Sequence, residues 1–115
     1  MKTPYILKQE DKTMKRTSSM IYRETTESRE LMLYATNDGT LYRQVITPAI
    51  ENLRKKYKKS TYNADKAVDL YYYIATEASN RYYKDFGYKF SVQDRFTVAV
   101  EMERYYMDEI TYKED

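Results

Sequence analysis

Cysteine and histidine are both absent from this chain of 115 residues. Without cysteine the protein forms no disulfide, holds no iron–sulfur cluster and has no thiolate nucleophile. Without histidine it lacks the commonest general base and the commonest metal ligand. Metal binding is then restricted to oxygen ligands. Asn63, Asp65 and Asp69 offer oxygens at helical spacing, but they lack the Asp-x-Asp-x-Asn-Gly loop of a calcium site. We expect neither a metal nor a cofactor.

Glycine and long apolar runs are scarce as well. The two glycines, Gly39 and Gly87, are too few for a glycine-rich phosphate loop. No apolar run approaches the ~20 residues of a membrane span. The N-terminal sequence MKTPYILKQEDKTMK also lacks the apolar core of a secretory signal. We therefore expect a protein that acts inside the cell and does not enter a membrane.

No group of residues is typical of an active site. Glu101, Glu103, Asp108 and Glu109 share one predicted helix. Because no cleft accompanies them, they favour a solvated acidic face over the paired carboxylates of a glycosidase. Serine and threonine have no histidine to activate them, and no Ser-x-x-Lys motif is present. The sequence predicts that the protein is not an enzyme.

Tyrosine is the residue that the chain has in excess. Its 15 tyrosines and 6 methionines supply apolar area, and tyrosine buries its ring while its hydroxyl reaches water. The net charge of +2 is too low to keep the chain unfolded. It also has the wrong sign for an acidic DNA mimic and is small for a dedicated DNA-binding protein. We expect a folded domain with aromatic residues both in its core and on its surface.

The N-terminal part of the chain differs from the rest. Residues 1–26 are rich in threonine, serine and charges of both signs, and we interpret them as an arm that is mobile or locally docked. Residues 27–115 are predicted to form a single helical domain. Ser28 is the expected cap of its first helix, from Arg29 to Thr36, which ends at the turn signal Asn-Asp-Gly at residues 37–39.

A second helix is predicted after this turn, with Asp38 or Thr40 as its N-cap. Pro48 interrupts the pattern, so we expect a kink there or a restart with Thr47 as a new N-cap. Apolar residues recur every three or four positions and predict a core-facing stripe. The stripe comprises Leu41, Tyr42, Val45, Ile46, Ala49, Ile50, Leu53 and Tyr57.

Two longer helices are predicted in the second half of the chain. The first runs from Ala64 to Phe86 between the cap Asn63 and a left-handed Gly87. The second runs from Val92 to about Ile110 and is capped by Ser91. Their expected core residues are Ala67, Leu70, Tyr71, Ile74, Ala75, Ala78, Tyr82 and Phe86, and then Phe96, Ala99, Val100, Tyr106, Met107 and Ile110. The sequence thus predicts an all-α fold, a compact bundle of three to four helices with an extended or mobile N-terminal arm.

Two features indicate contact with a partner. Residues 54–59, RKKYKK, can follow a phosphate backbone while Tyr57 and Tyr62 stack on bases, although such a run is also typical of a solubilising helix end. Successive helix residues point 100° apart, so Tyr72 and Tyr83 face away from the core if their neighbours Tyr71 and Tyr82 face into it. The candidate partner-binding residues are Arg54, Lys55, Lys56, Lys58, Lys59, Tyr72 and Tyr83.

A longer block supports a family resemblance. Residues 37–44 read NDGTLYRQ, and Pro48, Asn52-Leu53, Thr61-Tyr62 and the YKDFG sequence at residues 83–87 follow in order. This arrangement, over roughly residues 29–110, resembles a family of short uncharacterised proteins of tailed bacteriophages. The N-terminal arm is longer than in that family and tyrosine is more frequent. The resemblance implies an accessory phage product in the cytoplasm of the bacterial host, and it transfers no catalytic residue.

Two functions are compatible with these observations. The first is a non-enzymatic phage accessory protein that binds a host or defence protein, as an anti-CRISPR or other anti-defence inhibitor does. The alternative is a small nucleic-acid-binding accessory protein that uses the basic residues 54–59. Homodimerisation is compatible with both, because a helical protein of this size gains core area by pairing.

Overall fold

Helices account for most of the residues that the structure describes. The computed structural model describes residues 21–111. Its elements are α1 (Thr26–Asn37), α2 (Gly39–Leu41), π1 (Tyr42–Ile46), α3 (Thr47–Lys56), α4 (Ala64–Phe86) and α5 (Val92–Thr111). Because the junction residues Leu41 and Thr47 keep right-handed helical angles, α2, π1 and α3 form one continuous composite helix. The described residues therefore form an all-α bundle of four helices, as predicted.

The first helix begins earlier than expected. Thr25 is the N-cap of α1 and not Ser28, because the two residues form a reciprocal capping box. The Thr25 hydroxyl accepts from the Ser28 amide at 2.9 Å, and the Ser28 hydroxyl accepts from the Thr25 amide at 2.9 Å. This pairing gives a hydrogen-bond acceptor to two backbone amides that would otherwise have none at the start of the helix. The expected start at Arg29 is therefore wrong by one turn.

The composite helix passes through Pro48 without ending. A proline in a regular α-helix clashes with the carbonyl four residues earlier, here that of Gln44. The preceding turn is a π-turn, in which the Thr47 amide donates to the Tyr42 carbonyl, five residues back. The wider turn inserts one extra residue ahead of the proline. Thr47 therefore lies inside the helix, and the alternative that made it a new N-cap is wrong. Asp38, by contrast, is the N-cap as expected, and its carboxylate accepts from the Leu41 amide at 3.0 Å.

The limits of α4 and α5 follow their local capping signals. The Asn63 side chain accepts from the Lys66 amide at 3.1 Å, and Gly87 ends α4 with a φ of 76°. The Ser91 hydroxyl accepts from the Asp94 amide at 3.0 Å at the start of α5. The predicted limits of α4 are confirmed, and α5 extends one residue beyond its expected end.

Helix α5 lies at the centre of the bundle and packs against α1, α3 and α4. Residues 94–99 are six consecutive buried positions, so the helix is covered on all sides there. The fully buried side chains of the core include Leu31, Leu41, Ile46, Tyr71, Ile74, Val98, Met102 and Ile110. Within residues 21–111, no helix has the length and apolarity that crossing a bilayer requires.

Three predicted core residues are exposed. Phe86 is 65% exposed because it is the last residue of α4, where the bundle ends. Met107 is 39% exposed, beside the buried line of Met102, Tyr106 and Ile110. Tyr42 is 41% exposed, at the start of the π-turn. Spacing alone therefore predicts too many core residues at helix ends and at the edges of a buried face.

Residues 21–25 form an extended segment that lies along α5. The Thr97 hydroxyl donates to the Arg23 carbonyl at 2.9 Å and accepts from the Arg23 amide at 3.1 Å. Gln93 donates to the Ile21 carbonyl at 2.6 Å, and the Tyr22 hydroxyl donates to Glu101 at 2.8 Å. The described end of the predicted arm is thus docked on the bundle. Residues 1–20 of that arm, and residues 112–115, lie outside the described residues.

The left-handed Gly87 provides a test of this fold. An added Cβ at Gly87 has no atom within 4 Å, so Gly87→Ala changes only the backbone preference. We expect it to lower the free energy of unfolding by about 1–2 kcal/mol, the cost of a left-handed conformation for an L-residue. Chemical denaturation monitored by circular dichroism measures the loss.

Gly39→Ala is the matched control for Gly87→Ala. Gly39 begins α2, and its added Cβ meets only the end of the Arg43 side chain at 3.1 Å. That flexible end can move aside, so the control should be close to neutral. Equal losses in both variants would contradict the assignment of Gly87 as a conformational cap.

Candidate binding surfaces

The basic residues 54–59 divide into one anchored and several exposed cations. Arg54 is half-buried, and its Nε donates to the backbone carbonyl of Glu109 at 3.2 Å. Its guanidinium also pairs with Glu51 at 3.7 Å. Arg54 thus holds the end of α3 against α5. Its side chain is therefore less available to a partner than the exposed side chains of Lys55, Lys56, Lys58 and Lys59.

The two tyrosines that flank this segment contribute to packing. The rings of Tyr57 and Tyr62 lie edge to face, with centroids 5.9 Å apart, and both pack against the core. The Tyr62 hydroxyl donates to the buried carboxylate of Glu103 at 2.8 Å. Burial, and then this hydrogen bond, raise the pKa of Tyr62. The arrangement does not favour the expected role of these rings as a platform for bases.

Tyr72 and Tyr83 lie on the same side of α4 but in different surroundings. Their spacing of eleven residues is close to three helical turns, or about 16 Å along the axis. Tyr72 is half-buried beneath Arg95, whose guanidinium lies 5.7 Å from its ring centroid. Tyr83 is 47% exposed, and the Lys89 ammonium lies 5.1 Å from its ring centroid. Of the two, Tyr83 is the one whose ring is open to a partner.

A cluster of aromatic rings lies at the end of the bundle where α4 stops. The ring centroids of Tyr34 and Tyr82 are 5.1 Å apart, and those of Tyr82 and Phe86 are 4.7 Å apart. Phe86 is 65% exposed, and the neighbouring Leu33 on α1 is 54% exposed. We call these four residues, Leu33, Tyr34, Tyr82 and Phe86, the aromatic patch. The edge-to-face contact of Tyr34 with Tyr82 and the tilted contact of Tyr82 with Phe86 hold the three rings in place, so their surface is preorganised.

Carboxylates surround the aromatic patch. The Tyr34 hydroxyl donates to Asp85 at 3.0 Å, and the Tyr82 hydroxyl donates to Glu30 at 3.3 Å. With Asp38, these acids line a shallow depression of about 360 Å³ that Leu33, Tyr34 and Phe86 also line. The patch is therefore apolar at its centre and negatively charged at its rim, an arrangement that complements an apolar segment carrying lysine or arginine.

The acidic residues of α5 do not form a single solvated face. Glu103 is buried and accepts from Tyr62, while Glu101 accepts from Tyr22. Asp108 and Glu109 are exposed. No group of three or more potential metal ligands occurs in the part of the chain from residue 21 to residue 111. The expectation of a wholly solvated face is wrong at Glu103, because its position faces the Tyr62 hydroxyl.

The aromatic patch is the feature that spacing analysis missed. The stripe of α4 predicts a core position for Phe86, and the sequence around Leu33 predicts no exposed surface. The position of Phe86 immediately before Gly87 was a usable signal, because the last residue of a helix extends beyond the neighbours that cover earlier turns. The pairing of Tyr34 with Asp85 joins residues 51 positions apart, which local patterns do not reveal.

Comparison of the chain with protein-family models, with curated proteins and with solved structures found no match.

The raised tyrosine pKa values predict the alkaline stability of the fold. Burial first, and then the bond to Asp85, raise the pKa of Tyr34 from 10.0 to about 12. Burial, and then Tyr42 and Tyr105, raise that of Tyr106 to about 12. Below pH 10 both phenols are protonated in the folded and the unfolded chain. Between pH 10 and about pH 12 these two phenols hold fewer protons in the unfolded chain than in the folded one. The free energy of unfolding therefore falls as the pH rises.

Denaturant unfolding at increasing pH checks this prediction. We expect the free energy of unfolding to decline from about pH 10 upward, and we expect the Tyr34→Phe variant to decline less steeply because it has one phenol fewer to ionise. Unfolding titrations at neutral pH give the baseline of each variant. An alkaline decline that is identical in the wild type and in Tyr34→Phe would refute the contribution of this residue.

Proposed function

We propose that this protein acts by binding another protein and not by catalysis, and that the aromatic patch is its docking surface. The observation that carries the proposal is a preorganised cluster in which the exposed Leu33 and Phe86 lie beside the half-buried Tyr34 and Tyr82. Aromatic side chains dominate binding hot spots because they bury a large area at a small entropy cost. Rings already fixed by their neighbours lose little further freedom on binding.

The acidic rim narrows the choice of target. Glu30, Asp38 and Asp85 border the patch, so a target with cations around an apolar anchor is electrostatically favoured. Two of these carboxylates already accept tyrosine hydroxyls and are held at fixed positions. The fixed acids would disfavour an acidic partner by like-charge repulsion, and this selectivity is what a specific inhibitor requires.

The biological setting of the proposal comes from the resemblance to phage proteins. In that setting the chain is an accessory product in the host cytoplasm, and its target is a host or defence protein. An anti-CRISPR or related anti-defence inhibitor of this kind would block a protein surface. It would not imitate DNA, since the net charge is +2.

The alternative function is nucleic-acid binding through the basic residues. Lys55, Lys56, Lys58 and Lys59 are exposed at one end of α3 and in the turn after it, and such cations bind phosphates in a salt-dependent way. The packing of Tyr57 against Tyr62 weakens this alternative, because rings in contact with each other present less of their faces to bases.

Affinity capture from a host lysate, in nuclease-treated and untreated halves, separates the two functions. The informative variant is Leu33→Ser, since Leu33 is 54% exposed and its replacement is not expected to disturb the fold. We expect a stoichiometric protein target that survives nuclease and is captured about tenfold less by Leu33→Ser, which corresponds to a loss of about 1.4 kcal/mol at an interface residue. Tyr73→Ser, at a position 51% exposed elsewhere on α4, is the matched control and should capture normally.

A second variant with glutamine at all four exposed lysines tests the alternative. Under the proposed function it retains the target, because the aromatic patch is unchanged. Capture that depends on nucleic acid, falls steeply with added salt and is lost in the glutamine variant would replace protein binding with nucleic-acid binding. Equal capture by the wild type and by Leu33→Ser would exclude the aromatic patch as the docking surface.

A further inference from the structure

The aromatic patch leaves two large apolar side chains exposed inside an acidic rim. Leu33 and Phe86 are 54% and 65% exposed, on neighbouring helices, and both line the same shallow depression. Exposed apolar groups that lie together in this way are typical of binding sites. Glu30, Asp38 and Asp85 border the depression. An occupant that fits it therefore has an apolar anchor with cations beside it.

The sequence of residues 1–20 contains a segment of this composition. Residues 2–8 read KTPYILK, and we call them the KTPYILK segment. Its consecutive apolar residues, Tyr-Ile-Leu at residues 5–7, stand between Lys2 and Lys8. Residues 1–20 as a whole carry five cations against two carboxylates. The segment therefore complements the patch both in its apolar anchor and in the sign of its charge.

The other lysine-rich segment of the chain is a poorer match. Tyr57 is the only aromatic residue among residues 54–59, and it packs against the core with its ring next to that of Tyr62. Residues 54–59 thus offer cations without a free apolar anchor. A second copy of the chain that bound through these lysines would leave Leu33 and Phe86 uncovered.

The described chain begins at the end of the bundle that carries the patch. Phe90, two residues before α5, is buried, and its ring centroid lies 4.8 Å from that of Tyr82 in the patch. The Gln93 side chain donates to the Ile21 carbonyl at 2.6 Å, so Ile21 lies beside the first turn of α5. Gln93 follows Phe86 by seven residues, which span at most about 25 Å.

The connection from Ile21 is long enough to reach the patch. Leu7 precedes Ile21 by 14 residues, which span about 46 Å when extended. A segment tethered this close to its site has an effective concentration in the millimolar range. A second copy at micromolar concentration competes poorly against that value. The segment of the same molecule is therefore the favoured occupant.

We propose that the KTPYILK segment docks on the aromatic patch of its own molecule, with residues 5–7 against Leu33 and Phe86 and the two lysines toward the acidic rim. A protein target that binds the patch then has to displace the segment. The segment lowers the affinity of the free protein for that target, because only the fraction of molecules with an open patch can bind. This regulatory role rests on the proposed function, whereas the docking itself does not.

A nitroxide spin label at residue 9 of the full chain detects the docking. Because the chain contains no cysteine, Gln9→Cys gives a single attachment site next to the KTPYILK segment and leaves the segment unchanged. We expect the label to remove most of the amide signal intensity of Leu33 and Phe86, relative to the same sample with the nitroxide reduced. Tyr73 lies about 20 Å from Phe86 along the axis of α4 and should keep its intensity.

Removal of the apolar anchor is the first control. The labelled chain with Ile6→Ser and Leu7→Ser has the same tether and the same charges, so its label samples the same volume without the anchor. We expect this variant to recover the intensities of Leu33 and Phe86. The amide spectrum of each reduced sample shows that the bundle remains folded.

A matched pair of charge variants tests the acidic rim. Lys2→Gln together with Lys8→Gln removes the cations that flank the anchor and should recover much of the lost intensity. Lys12→Gln together with Lys15→Gln removes the same charge outside the segment and should leave the broadening in place. Equal recovery in the two variants would contradict the pairing of the rim with Lys2 and Lys8.

A mixed sample identifies the molecule that supplies the segment. Labelled chains without isotope enrichment are mixed with enriched chains that carry no label, so any broadening arises between molecules. Broadening of Leu33 and Phe86 in this sample would make a second copy the occupant and overturn the proposal. Intensities that the label leaves unchanged in the single sample, or that the Ile6→Ser and Leu7→Ser variant does not recover, would overturn it as well.

Capture from the host lysate tests the regulatory role separately. If the segment occupies the patch about nine-tenths of the time, the unlabelled variant with Ile6→Ser and Leu7→Ser should bind the target about tenfold more tightly than the wild type. Unchanged binding by this variant, together with reduced capture by Leu33→Ser, would overturn the regulatory role and leave the proposed function in place. Equal capture by the wild type and by Leu33→Ser contradicts the proposed function alone, because the spin-label result does not depend on a target.

Discussion

The burial of α5, which is complete on all sides over residues 94–99, is the constraint on which the rest of this structure depends. A helix segment covered all round normally contains only apolar residues, yet this helix buries Asp94, Arg95 and Thr97 there and Glu103 further along. Each unsatisfied polar group in such a place would cost about 1–3 kcal/mol, and more if it is charged. The surrounding elements must therefore supply partners for this helix as well as apolar contacts, and that requirement determines where they lie.

The partners come from three parts of the chain: the extended segment before α1, the turn before α4, and α4 itself. The extended segment before α1 exchanges two hydrogen bonds with Thr97, and the Thr25 hydroxyl donates to Asp94 at 2.8 Å. Thr76 of α4 accepts from Arg95 at 3.2 Å, and Tyr62 donates to Glu103. These bonds fix the start of α1, the turn before α4 and the register of α4 against α5. Aromatic residues needed for this purpose are not available for binding, which explains why Tyr62 is internal.

The sequence predicts those features of the fold that are decided locally. Asn63 and Gly87 determine the limits of α4 because capping depends on a few neighbouring residues. The exposure of Phe86 has one local signal, its position just before Gly87, but its role in the aromatic patch depends on where the bundle ends and on residues distant in the sequence. The burial of Glu103 is also not predictable from neighbouring residues, because it depends on the hydrogen bond from Tyr62, 41 residues earlier. The candidate surfaces differ in the same way. The exposed lysines are identifiable from the sequence, whereas the aromatic patch is identifiable only from the tertiary structure.

The near-zero net charge conceals a separation of charge that bears on function. Exposed lysines at residues 55–59 lie at the end of α3, whereas Glu30, Asp38 and Asp85 surround the aromatic patch. A partner interacts with the local potential, because screening limits charge interactions to about 8–10 Å at physiological salt. The net charge of +2 therefore argues against a DNA mimic of the whole molecule, but it does not identify the partner that each surface selects. Under the proposed function, an acid-rimmed aromatic patch favours a cationic protein segment, whereas the exposed lysines favour an acidic or phosphate-bearing one.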